Sequence, residues 1–423
     1  MDQSVNRSWK NWIIYGLVLC VSYLVYLGIA NQLGGTYENP FAYFDKLAAA
    51  FLRGEMHIRS QIKADLTLYG SRWYVPFPPL PALLLMPYMW WMGKATVDTV
   101  MFSIVLSSFN VVVLYGMLMQ LIRRGWTKIS HGDVIWLTVL FALGTVHLYM
   151  TMQGSVWFLA QLATFTFATL SVWLALAKKH PILIGLALAI AMLARPHMAL
   201  LGVLLLAIWG FEQREQVDQS REANDSWAYW LPALTKQAIL IGIPLLIAVA
   251  SLLWYNFARF EDPFDFGYTS QNVDTFLEDD LDTYGQFNLT FVPRNLKALL
   301  WALPEHNVDE GLPGLWPHRL GMSIFLTTPA FLFLLWPGKK SWLYYGALIS
   351  LGLILIPLLT YYNTGWWQFG YRFSLDFMMI LFLMLAHAAK GKLTWPFKLL
   401  VIISILINFW GMAWFAIITG VLA

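Results

Sequence analysis

From Trp12 to Asn31 the chain carries no charged side chain, and stretches of this kind recur as far as Phe415. Inside a bilayer the backbone must satisfy its own hydrogen bonds, so an apolar run has to cross as a helix of about 20 residues. Runs of suitable length lie near 12–31, 98–122, 134–150, 155–177, 181–194, 196–211, 236–257, 319–336, 342–362, 371–388 and 396–418. They predict an all-α polytopic membrane bundle of about eleven spans. One transmembrane domain would then account for residues 1–423. The weakest stretch is 181–211, where two short helices would meet at Arg195–Pro196. Composition agrees, because only 12% of residues are charged where a soluble domain carries about a quarter.

The basic residues give an orientation. Arg7 and Lys10, Arg123 with Arg124 and Lys128, Lys178 with Lys179, Lys339 with Lys340, and Lys390 with Lys392 all fall on one side of such a bundle. The positive-inside bias makes that side, and the N-terminus, cytoplasmic. Trp12–Ala30 is too long for the apolar core of a secretion signal and reads as a retained first span. The lone Cys20 rules out an intrachain disulfide. A net charge of +3 gives no reason to expect a nucleic-acid partner.

Two segments then fall on the outer face and exceed what a bare connection needs, 32–97 and 258–318, joined by the short Asn363–Gly370 turn. In the first, Asn39–Pro40 reads as a helix start, and Phe41, Phe44, Ala48, Phe51 and Leu52 share one face until Gly54. The apolar segment 82–92 is too short to span, so both helices are expected to lie in the interface plane. The acids of this loop are Glu38, Asp45, Glu55 and Asp65. A carboxylate held at a membrane surface suits a general base for an incoming hydroxyl or amine, and suits a divalent cation equally.

Cations at the outer ends of spans are costly and therefore candidates for binding. Arg372 lies four residues before Asp376; on one α-helix the two would pair, whereas an unpaired guanidinium would match a phosphate in bidentate fashion. Arg195 is a second phosphate candidate. Arg259 stands in the aromatic and polar stretch Tyr255–Tyr268, which would form either a sugar-binding wall or a packed lid. Tyr69, Tyr74, Trp367, Gln368 and Tyr371 are the substrate-binding candidates, since aromatic faces suit sugar rings. The histidines are scattered, with no pair at metal-ligand spacing.

This order of features resembles the GT-C superfamily of polyprenyl-phosphate-sugar-dependent glycosyltransferases, closest to its protein O-mannosyltransferase and lipid A aminoarabinose transferase branch. The resemblance is carried by Phe44-Asp-Lys-Leu-Ala-Ala-Ala-Phe-Leu-Arg-Gly54, Pro78-Pro79-Leu80, Leu193-Ala-Arg-Pro196 and Gly370-Tyr-Arg-Phe373. It implies transfer of a sugar from a polyprenyl-phosphate carrier to a lipid, glycan or protein acceptor at the outer face, by direct displacement with inversion. An outer-loop acid would be the base, with Arg372 and Arg195 or Arg259 on the leaving phosphate. It also points to a bacterial inner membrane. Where the family carries adjacent acids this chain has Glu38-Asn39-Pro40, so the base stays open between Asp45, Glu38 and Asp65. No cofactor is required, although a divalent metal is compatible. Two other classes remain, a lipid-linked sugar flippase or transporter and a polysaccharide polymerase or ligase. The first would want mid-span charges, which are scarce here, and repeated halves, of which the sequence shows none.

Overall fold

The computed structural model describes residues 3–418, apart from 37–38, 221–226, 269, 308–313, 337–339, 366–367 and 390. Glu38 and Trp367 therefore lie outside the described residues. Among those described, seven helices are long and apolar enough to cross a membrane: Trp12–Gln32, Thr99–Arg123, Val156–Leu176, Pro196–Gln213, Leu231–Phe260, Trp342–Thr360 and Trp395–Ile417. The chain is an integral membrane protein. Its other apolar runs are helical but shorter or broken, so the structure does not supply eleven full-length spans. His131–Leu143 stops before a separate turn at His147–Thr151. Pro181–Met192 is a single short helix. Ile324–Thr327 gives way to a 3-10 segment at Pro329–Leu335, and Arg372–Phe377 is a 3-10 turn leading into Met378–Ala388. Hydropathy reports burial in apolar surroundings, not helix continuity. The breaks come where glycine or proline interrupts the ladder, at Gly144, Pro196 and Pro329. Arg195 shows the local cause, because the residue before a proline is pushed out of the helical region and here has φ −145° and ψ 100°.

Thr99–Arg123 and Val156–Leu176 form the centre of the bundle, with 72% and 78% of their apolar windows buried, against 17% for Trp12–Gln32 and 28% for Leu231–Phe260. The latter two present their apolar side chains outward, as helices facing lipid do. At one end of the bundle the Arg124 guanidinium stands 2.8 Å from the Glu212 carboxylate, which the Lys178 ammonium also contacts. The basic residues that follow Thr99–Arg123 and Val156–Leu176 thus meet on one carboxylate.

Both long loops gather at the other end. In the first, the expected helix starts at Phe44 and runs to Leu52, ended by Gly54 at φ 75°. Asn39 does not cap it. Its side-chain oxygen accepts from the Phe41 amide at 2.9 Å, and its carbonyl accepts from Ala42 at 3.0 Å, so Asn39–Ala42 closes a turn before the helix. The local side-chain bond competes with helix entry, as Asn commonly does. Phe44, Leu47 and Ala48 pack against Ala82, Leu85 and Met89 of the Leu80–Met92 helix and against Val156 and Leu159. Trp90 and Trp91, 77% and 86% exposed, end that second helix with the amphipathic rings that favour a membrane–water boundary.

Between the two helices, Thr67–Tyr69 and Arg72–Tyr74 pair as an antiparallel hairpin. Gly70–Ser71 supplies its two-residue turn, with Gly70 at φ 59°. The hairpin is stitched to the late loop. The Thr67 hydroxyl donates to the Gly267 carbonyl at 2.6 Å, the Asp65 amide donates to the Asn272 carbonyl at 2.8 Å, and the Asn272 amide returns to the Leu66 carbonyl at 2.8 Å.

Candidate active site

Those backbone bonds fix Asp65 from both sides. Its backbone sits at φ 58°, in the left-handed region that side chains other than glycine seldom enter. The Gln271 amide donates to both its side-chain oxygen and its carbonyl at 3.2 Å. The Tyr362 hydroxyl stands 3.5 Å from the other end of the same Gln271 amide. Backbone held in this region by the surrounding bonds gathers at functional sites, which makes Asp65 a candidate.

Burial pushes the Asp65 carboxyl up to about 6, against the opposing pull of the Arg372 charge and of a hydrogen bond from Trp157; the Asp274 carboxylate raises it further. Nearby, burial also pushes the Tyr268 phenol up to about 12, leaving it a donor at neutral pH. A carboxyl poised at about 6 is ionised at neutral pH yet basic enough to take a proton.

Two cavities open on this carboxylate. One is lined by ring and aliphatic surface, including Phe77, Pro357, Leu358 and Phe373, with Arg195 and His197 in its wall. The other sets the polar groups of Asn39, Gln153, Ser155, Asn272 and Asp274 among the rings of Phe41, Phe158 and Phe415. The residues common to both are Asp65, Trp157, Asn363 and Arg372.

Arg372 is 7% exposed, and among the described residues it has no carboxylate within ion-pair distance. Its guanidinium lies 5.1 Å from the Phe373 ring and 5.3 Å from the Phe158 ring, and its Nε is buried without a hydrogen-bond partner. Of the two alternatives for Arg372, the pairing with Asp376 does not form. Residues 372–377 wind as a 3-10 turn, in which positions four apart diverge by about a third of a turn. Asp376, fully buried, instead meets Arg195 Nε at 2.8 Å and His197 Nε2 at 3.1 Å through one oxygen, with the Gln161 amide 3.4 Å from the other. The Arg195 contact is an ion pair without an aligned hydrogen bond.

Gln368 holds Arg372 in place. Its amide donates to the Leu320 and Thr364 carbonyls at 2.9 and 2.6 Å, and its oxygen accepts from the Arg372 backbone at 3.1 Å. It is fully buried and belongs to neither cavity wall, which makes it a support and not a substrate contact. Gly365 covers this corner at φ 107°; a Cβ there would come within 2.8 Å of Arg372 Nε.

Other expected site residues stand apart. Asp45 is buried in the Phe44–Leu52 helix, with one oxygen accepting from the Lys46 amide at 2.7 Å, and lines neither cavity. Arg259 is spent within the protein, on the carbonyls of Val75 and Tyr255 at 2.6 and 3.2 Å and on Asn256 at 2.9 Å. Tyr69 and Tyr74 pack edge-on against Phe260 at 5.6 and 5.4 Å. Tyr371 is buried against Phe373. The 255–268 stretch thus acts as a packed lid at Arg259 while contributing Phe266 and Tyr268 to the first cavity.

Trp157, Gln271 and Asn363 were not among the expected site residues, and nothing local in the sequence distinguishes them. Among the described residues no three His, Cys, Asp or Glu side chains come together as cation ligands. Asp65 and Asp274 are the two carboxylates of the second cavity, and they would be the ones to hold a divalent ion there.

No protein-family model matches the chain, and no curated protein does. Among solved structures it is similar to the archaeal oligosaccharyltransferase AglB from Archaeoglobus fulgidus, in complex with an inhibitory peptide and a dolichol-phosphate. The likeness covers 98% of this chain and 56% of that one, at 11% identity and a TM-score of 0.44. The chain therefore spans little more than half the length of that protein, and a likeness this loose bears on neither activity nor ligands.

Proposed function

We propose that this chain is a membrane glycosyltransferase of GT-C type that uses a polyprenyl-phosphate-linked sugar as donor. The observation that carries the reading is the joint position of Asp65 and Arg372, one poised carboxylate and one uncommitted guanidinium at the junction of two cavities. The aromatic and aliphatic cavity suits the first isoprene units and phosphate of the carrier, with Arg195 and Arg372 facing the charge. The second cavity suits a hydroxyl- or amine-bearing acceptor, whether lipid, glycan or protein, with Asn39, Ser155 and Asp274 among the groups able to orient it.

Asp65 takes the proton of the acceptor as its oxygen or nitrogen forms a bond to the anomeric carbon. The bond from that carbon to the phosphate oxygen breaks, and its electron pair leaves on the polyprenyl phosphate. Attack from one cavity with departure into the other inverts the anomeric centre. General-base assistance of this kind is worth about 10²–10⁴-fold, and a fixed cation at the developing phosphate charge adds to it. The site would lie on the outer face of a bacterial inner membrane, with the N-terminus inside, in line with the distribution of basic residues.

The test is transfer of a radiolabelled sugar from a panel of polyprenyl-phosphate donors in proteoliposomes, beside Arg372→Ala. Product formation that Arg372→Ala abolishes supports the reading. A folded wild type that moves these lipids between leaflets without transferring sugar would replace it with a flippase.

A further inference from the structure

Asp376 makes one oxygen serve two neighbours, Arg195 and His197, and so settles the state of the histidine ring. A carboxylate held against an arginine is ionised and accepts only, so His197 Nε2 must carry its proton towards Asp376. The ring lines the aromatic cavity, and its Nδ1 has no hydrogen-bond partner among the described residues. Neutral His197 therefore offers that cavity an acceptor; only the protonated ring offers a donor.

Resting on the transferase reading, we infer that His197 is a further residue of the phosphate site, one that senses the charge change of the reaction. The donor is a phosphodiester with one negative charge. The leaving group is a phosphomonoester that acquires a second charge when the sugar–oxygen bond breaks. A ring that takes up a proton at Nδ1 becomes a hydrogen-bond donor to that new charge, while Asp376, a positioning residue, fixes its tautomer and offsets its charge. His197 then favours the product phosphate over the donor. The charged and titratable groups facing the same space are Arg195, Arg372, Asp65, Tyr268, Tyr361 and Tyr362, with Asp376 behind. Of these, Asp65, pushed up to about 6 by burial, is assigned to the acceptor proton.

The test compares two probes on the full-length protein in neutral-lipid nanodiscs at pH 7, a short-chain polyprenyl monophosphate and the matching polyprenyl-phosphoryl sugar. His197→Gln keeps a donor for Asp376 and cannot ionise; His197→Asn places an amide nearer the Nδ1 position and serves if the first variant misfolds. Loss of a charge-assisted hydrogen bond is expected to weaken monophosphate binding roughly tenfold or more while changing diester binding much less. Equal weakening of both probes, or of neither, overturns the inference and leaves the transferase reading standing. Failure of wild type to bind either lipid overturns both.

Discussion

Asp376 Oδ2 lies 2.8 Å from Arg195 Nε and makes no pair with Arg372, four positions before it. That choice of partner leaves Arg372 as a buried cation facing the two cavities. A buried cation with no carboxylate at ion-pair distance is costly unless something pays for it. On the present account a lipid-linked phosphate does so when the site fills.

Asp65→Asn separates activity from stability. Burial raises the Asp65 carboxyl to about 6, above its unfolded value near 4. For a carboxyl raised in this direction, the stabilising contribution is complete below about pH 4 and is lost as pH rises through about 6. An uncharged amide escapes that loss, and Asn accepts the left-handed backbone at this position as readily as Asp. Transfer should fall about 100-fold or more, while the melting temperature at pH 7.5 stays level or rises.

The same carboxyl should set the acid limb of the rate. Asp65 must be ionised to act, so kcat/KM should decline as pH falls below about 6. The Trp157 hydrogen bond lowers its affinity for protons. Trp157→Phe keeps a ring in the wall and removes that bond, so the acid limb should move to higher pH. An unchanged limb would remove Trp157 from the acid–base machinery.

Gly365→Ala probes the seat of Arg372. The added carbon would stand 2.5 Å from the Gln368 side-chain oxygen and 2.8 Å from Arg372 Nε, at a φ of 107° that alanine resists. Either the turn or the guanidinium must move. Donor affinity, read by lipid binding, should weaken roughly tenfold or more, with acceptor affinity less affected.

How far the sequence disclosed all this depends on the range of each interaction. The apolar runs were legible, because they follow from transferring side chains into lipid. The breaks at Gly144 and Pro329 were not, since hydropathy averages over them. The hairpin at Thr67–Tyr74 could have been read from Gly70–Ser71 between two aromatic-rich segments, which is a two-residue turn signal. Arg372 stood out as a costly cation at the end of a span, whereas Asp65 was one of three acids left open as the base. Gln271, which holds Asp65, lies 206 positions away, and no local pattern connects them. The Arg372–Asp376 pairing, one of the two alternatives, required 3.6 residues per turn where the chain winds three.

The most direct test of the central claim runs Asp65→Asn and Asp45→Asn side by side, in the same proteoliposomes and with the donor that serves wild type. Both acids belong to the first outer loop, but only Asp65 opens on the cavities. The account predicts that Asp65→Asn loses transfer by about 100-fold or more, while folded Asp45→Asn keeps it within a few-fold. The reverse result, with activity surviving at Asp65→Asn and lost at Asp45→Asn, would contradict it.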